Sequence, residues 1–119
     1  MGLLGDLLKG ILSSVGAGRM SLADAKVNAP NAMGCYKLYH HGELKYVGKA
    51  EDGLRKRFVQ YYNGTTAHYP SAKKIFECRD EITVTFAVLP SREDCRRVER
   101  EWIESCNPEW NKQRGWQHD

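Results

Sequence analysis

Hydrophobic positions near the start of the chain fall at helical spacing. Leu3, Leu4, Leu7, Leu8, Ile11, Leu12 and Val15 recur every three or four residues, which predicts an amphipathic helix over 3–15. The chain start lacks Lys and Arg, and Asp6 and Lys9 interrupt the apolar run, so a signal peptide fits poorly. Asp6 also stands where a myristoylation signal asks for Ser or Thr. This helix is expected to dock on its own domain, on a second copy of the chain or on a partner. A membrane-surface helix is the sharper alternative. Ser14 to Asn31 carries Gly, Ser, Ala, Asn and Pro30 and reads as a linker. The chain thus divides into a helix with linker (1–32) and a body (33–119).

From Gly34 the pattern changes to strands. GCYKLY and ELKYVG are short runs rich in aromatic and β-branched residues, separated by His40-His41-Gly42. A loop of His41-Gly42 alone would put Tyr36 and Tyr46 on opposite faces. A three-residue loop sets them directly across from one another, with Leu38 and Leu44 on the same face. Gly42 in last place favours the longer loop, whose final residue takes positive φ. LRKRFVQYY (54–62) predicts a helix with Leu54, Phe58 and Tyr61 as its apolar stripe. Arg57 borders that stripe one turn before Tyr61. Pro70 to Phe76 predicts a short helix with Pro in its first turn. Glu81 to Leu89 alternates as a strand should, and Pro90 and Ser91 stop it.

Ser91 opens the last long helix, with Asp94 in a weak version of a capping box, and Asn107-Pro108 closes it. Cys95, Val98, Trp102, Ile103 and Cys106 make one apolar stripe, while Glu93, Arg97, Arg100, Glu101 and Glu104 face away from it. Glu99 breaks the rule by sitting inside the stripe. A carboxylate turned toward a core costs several kcal/mol unless something pairs with it, so either an internal cation or a metal ion is expected beside it. The fold class that follows is α+β, a small antiparallel three-stranded sheet flanked by helices, with the amphipathic helix added in front.

Composition narrows the field without deciding it. The 119 residues are 41% hydrophobic and 28% charged, an ordinary globular balance that excludes collagen-like, disordered and membrane-spanning classes. The net charge of +3 permits a polyanionic partner. Cys35, Cys78, Cys95 and Cys106 form no C-x-x-C pair, which argues against a zinc site and for reduced thiols in a cytoplasmic protein. His40, His41 and His68 read as turn or surface residues. Tyr62, Trp102, Trp110 and Trp116 read as packing residues.

Five ordered elements carry a resemblance: Gly34-Cys35-Tyr36; Tyr46-Val47-Gly48 with Lys49-Ala50; Leu54-Arg55-Lys56-Arg57; Glu99-x-x-x-Ile103; and Pro108-x-x-Asn111. Together they resemble the GIY-YIG nuclease superfamily, most of all the cleavage domain of bacterial excision-repair incision proteins and small homing-type nucleases, over about 33–112. Cys35 stands where the family has Ile, and Gly53 is inserted before the helix. Arg57 takes the arginine position because it adjoins Tyr61.

The resemblance implies a metal-dependent endonuclease. Tyr36 would be the general base, pushed toward phenolate by Lys49, Arg57 and the metal. Tyr46 would hold the water or a phosphate oxygen, and Tyr61 would assist beside the base. Arg57 would meet the charge that builds on the phosphate. Glu99 would bind one Mg²⁺ or Mn²⁺, and Asn111 would orient the site. DNA, with RNA as the alternative, would be contacted by Gly48, Lys49, Arg55, Lys56, Lys73 and Lys74, with Lys45 and Lys112 adding phosphate contacts that carry no sequence code. Two other readings share the fold: a binding module without cleavage, and an effector or toxin nuclease delivered to another cell.

Overall fold

The computed structural model describes residues 19–115, with side chains as far as Lys112. The helix expected over 3–15, with its docking or oligomer role, and Trp116 lie outside the described residues. The elements in order are β1 (Met20–Ser21), α1 (Leu22–Asn28), β2 (Gly34–His40), β3 (Glu43–Ala50), α2 (Leu54–Asn63), α3 (Pro70–Glu77), β4 (Ile82–Val88), α4 (Arg92–Cys106) and α5 (Glu109–Gly115).

The sheet is antiparallel, in the order β1-β4-β2-β3. It has four strands rather than the three expected. The added strand comes from the stretch read as linker, where Met20–Ser21 pairs with Val84 and Thr83 of β4. Ser21 then caps α1 by accepting a hydrogen bond from the Asp24 N–H, at 3.0 Å. Leu22 and Ala25 of α1 are fully buried. A helix this short has too few residues for a strong periodic signal, so its burial is a tertiary effect.

The hairpin departs from the expected register. His41 and Gly42 both take positive φ, 53° and 81°, the signature of a two-residue type I′ turn. That loop alone would separate Tyr36 and Tyr46 onto opposite faces. A bulge at Lys45 shifts the ladder: Tyr39 pairs with Leu44, but Leu38 pairs with Tyr46 and Tyr36 with Gly48. The extra residue returns both tyrosines to one face, diagonal to each other rather than directly opposite.

Two apolar clusters cover the two faces. Tyr36, Leu38 and Tyr46 join Leu22, Leu54, Phe58, Tyr61, Ile75, Val84, Phe86 and Trp110 in the larger one. Cys35 packs with Leu89, Cys95 and Val98 of α4 in the smaller. The predicted stripe of α2 is the observed one, since Leu54, Phe58 and Tyr61 are its buried residues. Ser91 caps α4 by accepting from the Asp94 N–H. The Asp94 carboxylate pairs with Arg97. All four cysteines are free thiols. Among the described residues no helix is long and apolar enough to cross a membrane.

Candidate active site

β3 is an edge strand, so helices on both faces of the sheet can reach the space beside it. A cavity of about 750 Å³ is lined by Tyr36 of β2, Tyr46 and Lys49 of β3, Arg57 and Tyr61 of α2, and Glu99 of α4. These six come from four elements, and only folding brings them together. Glu99 is 9% exposed, as its place in the apolar stripe of α4 anticipates.

Tyr36 is fully buried and sits at the centre of the hydrogen bonding. Its hydroxyl is 2.5 Å from that of Tyr61 and accepts from Arg57 Nη1 at 3.5 Å. Its ring meets Phe58 and Tyr61 edge-on, with centroids 5.4 and 5.9 Å away, and lies 6.4 Å from that of Tyr46. Arg57 Nη1 also donates to the Lys49 carbonyl at 2.8 Å, which holds the guanidinium against β3. A guanidinium has five N–H donors, so others remain for a ligand.

Burial pushes the Tyr36 phenol well above the usual tyrosine range; Tyr46 adds to this, while Arg57 and the Tyr61 hydrogen bond pull the other way. Burial raises Tyr61 as well, followed by the neighbouring phenols Tyr36 and Tyr46. Arg57 acts on the phenol in the expected direction, lowering it. Desolvation of the ring outweighs Arg57.

Gly48 does not line the cavity. It pairs with Tyr36 across the ladder, and a Cβ built there would lie 2.4 Å from the Tyr36 hydroxyl and 2.5 Å from Cζ. The glycine leaves room for the phenol to lie flat across β3. Asn111 is also outside the cavity, 7% exposed. Its Oδ1 accepts from the Val47 N–H and its Nδ2 donates to the Val47 carbonyl, both at 2.8 Å. The side chain acts as a one-residue strand on the open edge of β3 and fixes the segment that carries Tyr46. Replacing Asn111 with Ala strands two buried backbone groups, and a loss of about 1–3 kcal/mol is expected in urea denaturation.

The basic residues divide. Lys49 lines the cavity and is 3.5 Å from Glu51. Arg55, Lys56 and Lys73 are exposed and Lys74 half-buried, all outside the lining. Lys56 pairs with Asp52 at 3.1 Å, and Lys45 with Glu109 at 2.8 Å. Sequence reasoning passed over Glu51, Asp52, Gln60, Thr66, Tyr69 and Arg92, which also line the cavity. Two were within reach of helical spacing: Gln60 is one turn after Arg57, and Arg92 two turns before Glu99. The others lie on turns, where no periodicity marks a face.

The carboxylates that line the cavity are those of Glu99, Glu51 and Asp52, and Glu99 is the buried one among them. Hard divalent cations take such donors, so the residues fit a Mg²⁺- or Mn²⁺-class ion.

An α+β domain with paired tyrosines on a hairpin, an arginine on the next helix and a buried glutamate on the last long one defines a class, that of the GIY-YIG nuclease domains. Residues 32–112 match the UvrC-like GIY-YIG domain, and the chain belongs to that family of metal-dependent endonuclease domains. Solved structures agree. The N-terminal endonuclease domain of UvrC from Thermotoga maritima, bound to its catalytic magnesium, is 25% identical; the match covers 75% of this chain and 93% of that one, with a TM-score of 0.61. A point mutant of the same domain bound to its catalytic divalent cation is also 25% identical, over 75% and 92% of the two chains, with a TM-score of 0.59. No curated protein matches.

Proposed function

We propose that this protein hydrolyses phosphodiester bonds in DNA, with Tyr36 as general base, Glu99 as the ligand of one Mg²⁺ or Mn²⁺, and Arg57 on the phosphate. The observation that supports it is the single cavity shared by Tyr36, Tyr46, Arg57, Tyr61 and Glu99.

Each side chain has a task. The Tyr36 oxygen takes a proton from the attacking water, and the Arg57 charge and the Tyr61 hydroxyl stabilise the phenolate against the surrounding apolar rings. Tyr46 orients the water by its own hydroxyl. The Arg57 Nη2 end, 3.8 Å from Asp52, faces the nonbridging oxygens, where charge gathers in the transition state. Glu99 would hold the ion, which when bound would supply Lewis-acid polarisation of the phosphate and charge stabilisation at the leaving oxygen. Lys49, Arg55, Lys56, Lys73 and Lys74 contact flanking phosphates, so binding is salt-sensitive and unspecific in sequence. The unbridged thiols suit a reducing compartment such as the cytoplasm.

The test is cleavage of nicked, branched and single-stranded DNA with Mg²⁺ or Mn²⁺, against the matching RNAs. Cleavage of DNA that needs the metal supports the reading; failure on every substrate overturns it. The pH profile tests the base. A phenol held above its usual range is mostly protonated near neutrality, so its basic fraction grows about tenfold per pH unit. The rate is expected to climb steadily from pH 6 to 9, with the climb absent in Tyr36→Phe. An unchanged profile in that variant removes Tyr36 from the role.

A further inference from the structure

We propose that His40, His41 and Glu81 form a second metal site, for a Zn²⁺-class cation, at the end of the sheet away from the cavity. The sequence alone reads these histidines as turn residues, because neighbouring side chains on a strand point to opposite faces. The turn changes that. His41 takes φ of 53°, and this left-handed step brings its ring beside that of His40, with centroids 4.0 Å apart.

Glu81 arrives from a different element. It ends the 3₁₀ turn Arg79–Glu81, and the next residue, Ile82, pairs with His40 in the sheet. Nε2 of His40 and Nε2 of His41 converge on the same Glu81 Oε1, at 2.8 and 3.6 Å. One ligand atom from each residue lies within 4.8 Å of the others.

These separations suit a tetrahedral ion. With Zn–N and Zn–O bonds of about 2.0–2.1 Å, neighbouring ligand atoms stand about 3.3 Å apart. The His41 separation is already close to that, and the His40 contact must open by about half an ångström. The His40 side chain is 22% exposed and rests near Trp110, whereas that of Glu81 is 56% exposed, so Glu81 makes the movement against little packing resistance. Two imidazoles and one carboxylate leave a fourth position for water. Imidazole nitrogen selects borderline transition ions over Mg²⁺, so this site and the one at Glu99 sort different metals. His40 lies four residues along β2 from Tyr36, about 13 Å, too far to share an ion. A cation here ties the hairpin tip to the start of β4.

The experiment is calorimetric titration of the full chain with Zn²⁺, in a Glu99→Gln background so that the cavity carboxylate does not compete. One ion per chain is expected, with affinity lowered about tenfold or more by each of His40→Gln, His41→Gln and Glu81→Gln, and unaltered by His68→Gln. Co²⁺ bound to the parent should show no thiolate charge-transfer band and should broaden the ring resonances of His40 and His41. This second readout needs no substitution at the site, so it does not depend on how those variants fold. Absence of binding, a thiolate band, or equal affinity in the parent and the three variants overturns the proposal.

Discussion

Glu99→Gln is expected to reduce metal-dependent cleavage by about 10³-fold or more, the effect that follows from the proposed role of Glu99 as ligand of the charge-stabilising ion. The amide matches the carboxylate in size, so the helix and its packing remain. What is lost is an anionic oxygen, which a hard cation requires and a neutral amide replaces poorly. Single-turnover cleavage over a range of Mn²⁺ concentrations measures this, with circular dichroism to verify the fold. Excess Mn²⁺ is expected to restore little of the rate, since a water in place of the ligand leaves the ion free to wander. Cleavage at the parental rate in this variant would remove the ion from Glu99 and the mechanism with it.

The second large effect is expected from the smallest substitution. Gly48→Ala introduces a Cβ 2.4 Å from the Tyr36 hydroxyl and 2.5 Å from Cζ, so the buried ring must shift from its place beside Tyr61 and Arg57. Overpacking of this kind costs about 1–3 kcal/mol, readable in urea denaturation. Displacing a reacting group by about 1 Å costs about 100-fold in rate, so activity should fall by at least that much. Removing the hydroxyl does not relieve the clash, because Cζ is in the way too. Gly48→Ala is therefore expected to destabilise a Tyr36→Phe protein as much as the parent. Gly42→Ala makes the contrast. Its Cβ would meet nothing within 4 Å, and only the positive φ is strained, so a cost of about 1 kcal/mol and unchanged cleavage are expected.

The two effects show what kind of information each residue carries. Glu99 was legible in the sequence because α4 has enough turns for a stripe to be drawn, and a carboxylate inside it violates the pattern. Gly48 was legible only as a motif letter, taken for a substrate contact. Its task of making room for Tyr36 depends on which residue lies across the ladder, and the Lys45 bulge sets that. A bulge inserts a residue without changing local composition. The hairpin register was thus beyond reading from turn preferences, although both tyrosines returned to one face.

The sequence by itself determined the α+β class, the helices at 54–63, 70–77 and 92–106 within a residue or so, the hairpin and the inward glutamate. These follow from periodicity, capping and breakers, which act over a few neighbouring residues. Tertiary structure alone decided that 20–28 joins the sheet and core, that Asn111 closes the open edge of β3, that burial pushes the Tyr36 phenol up, and that Glu81 meets two histidines. Each of these depends on groups that folding brings in from other elements of the chain. Desolvation and edge pairing are properties of a packed neighbourhood, which a linear pattern does not encode.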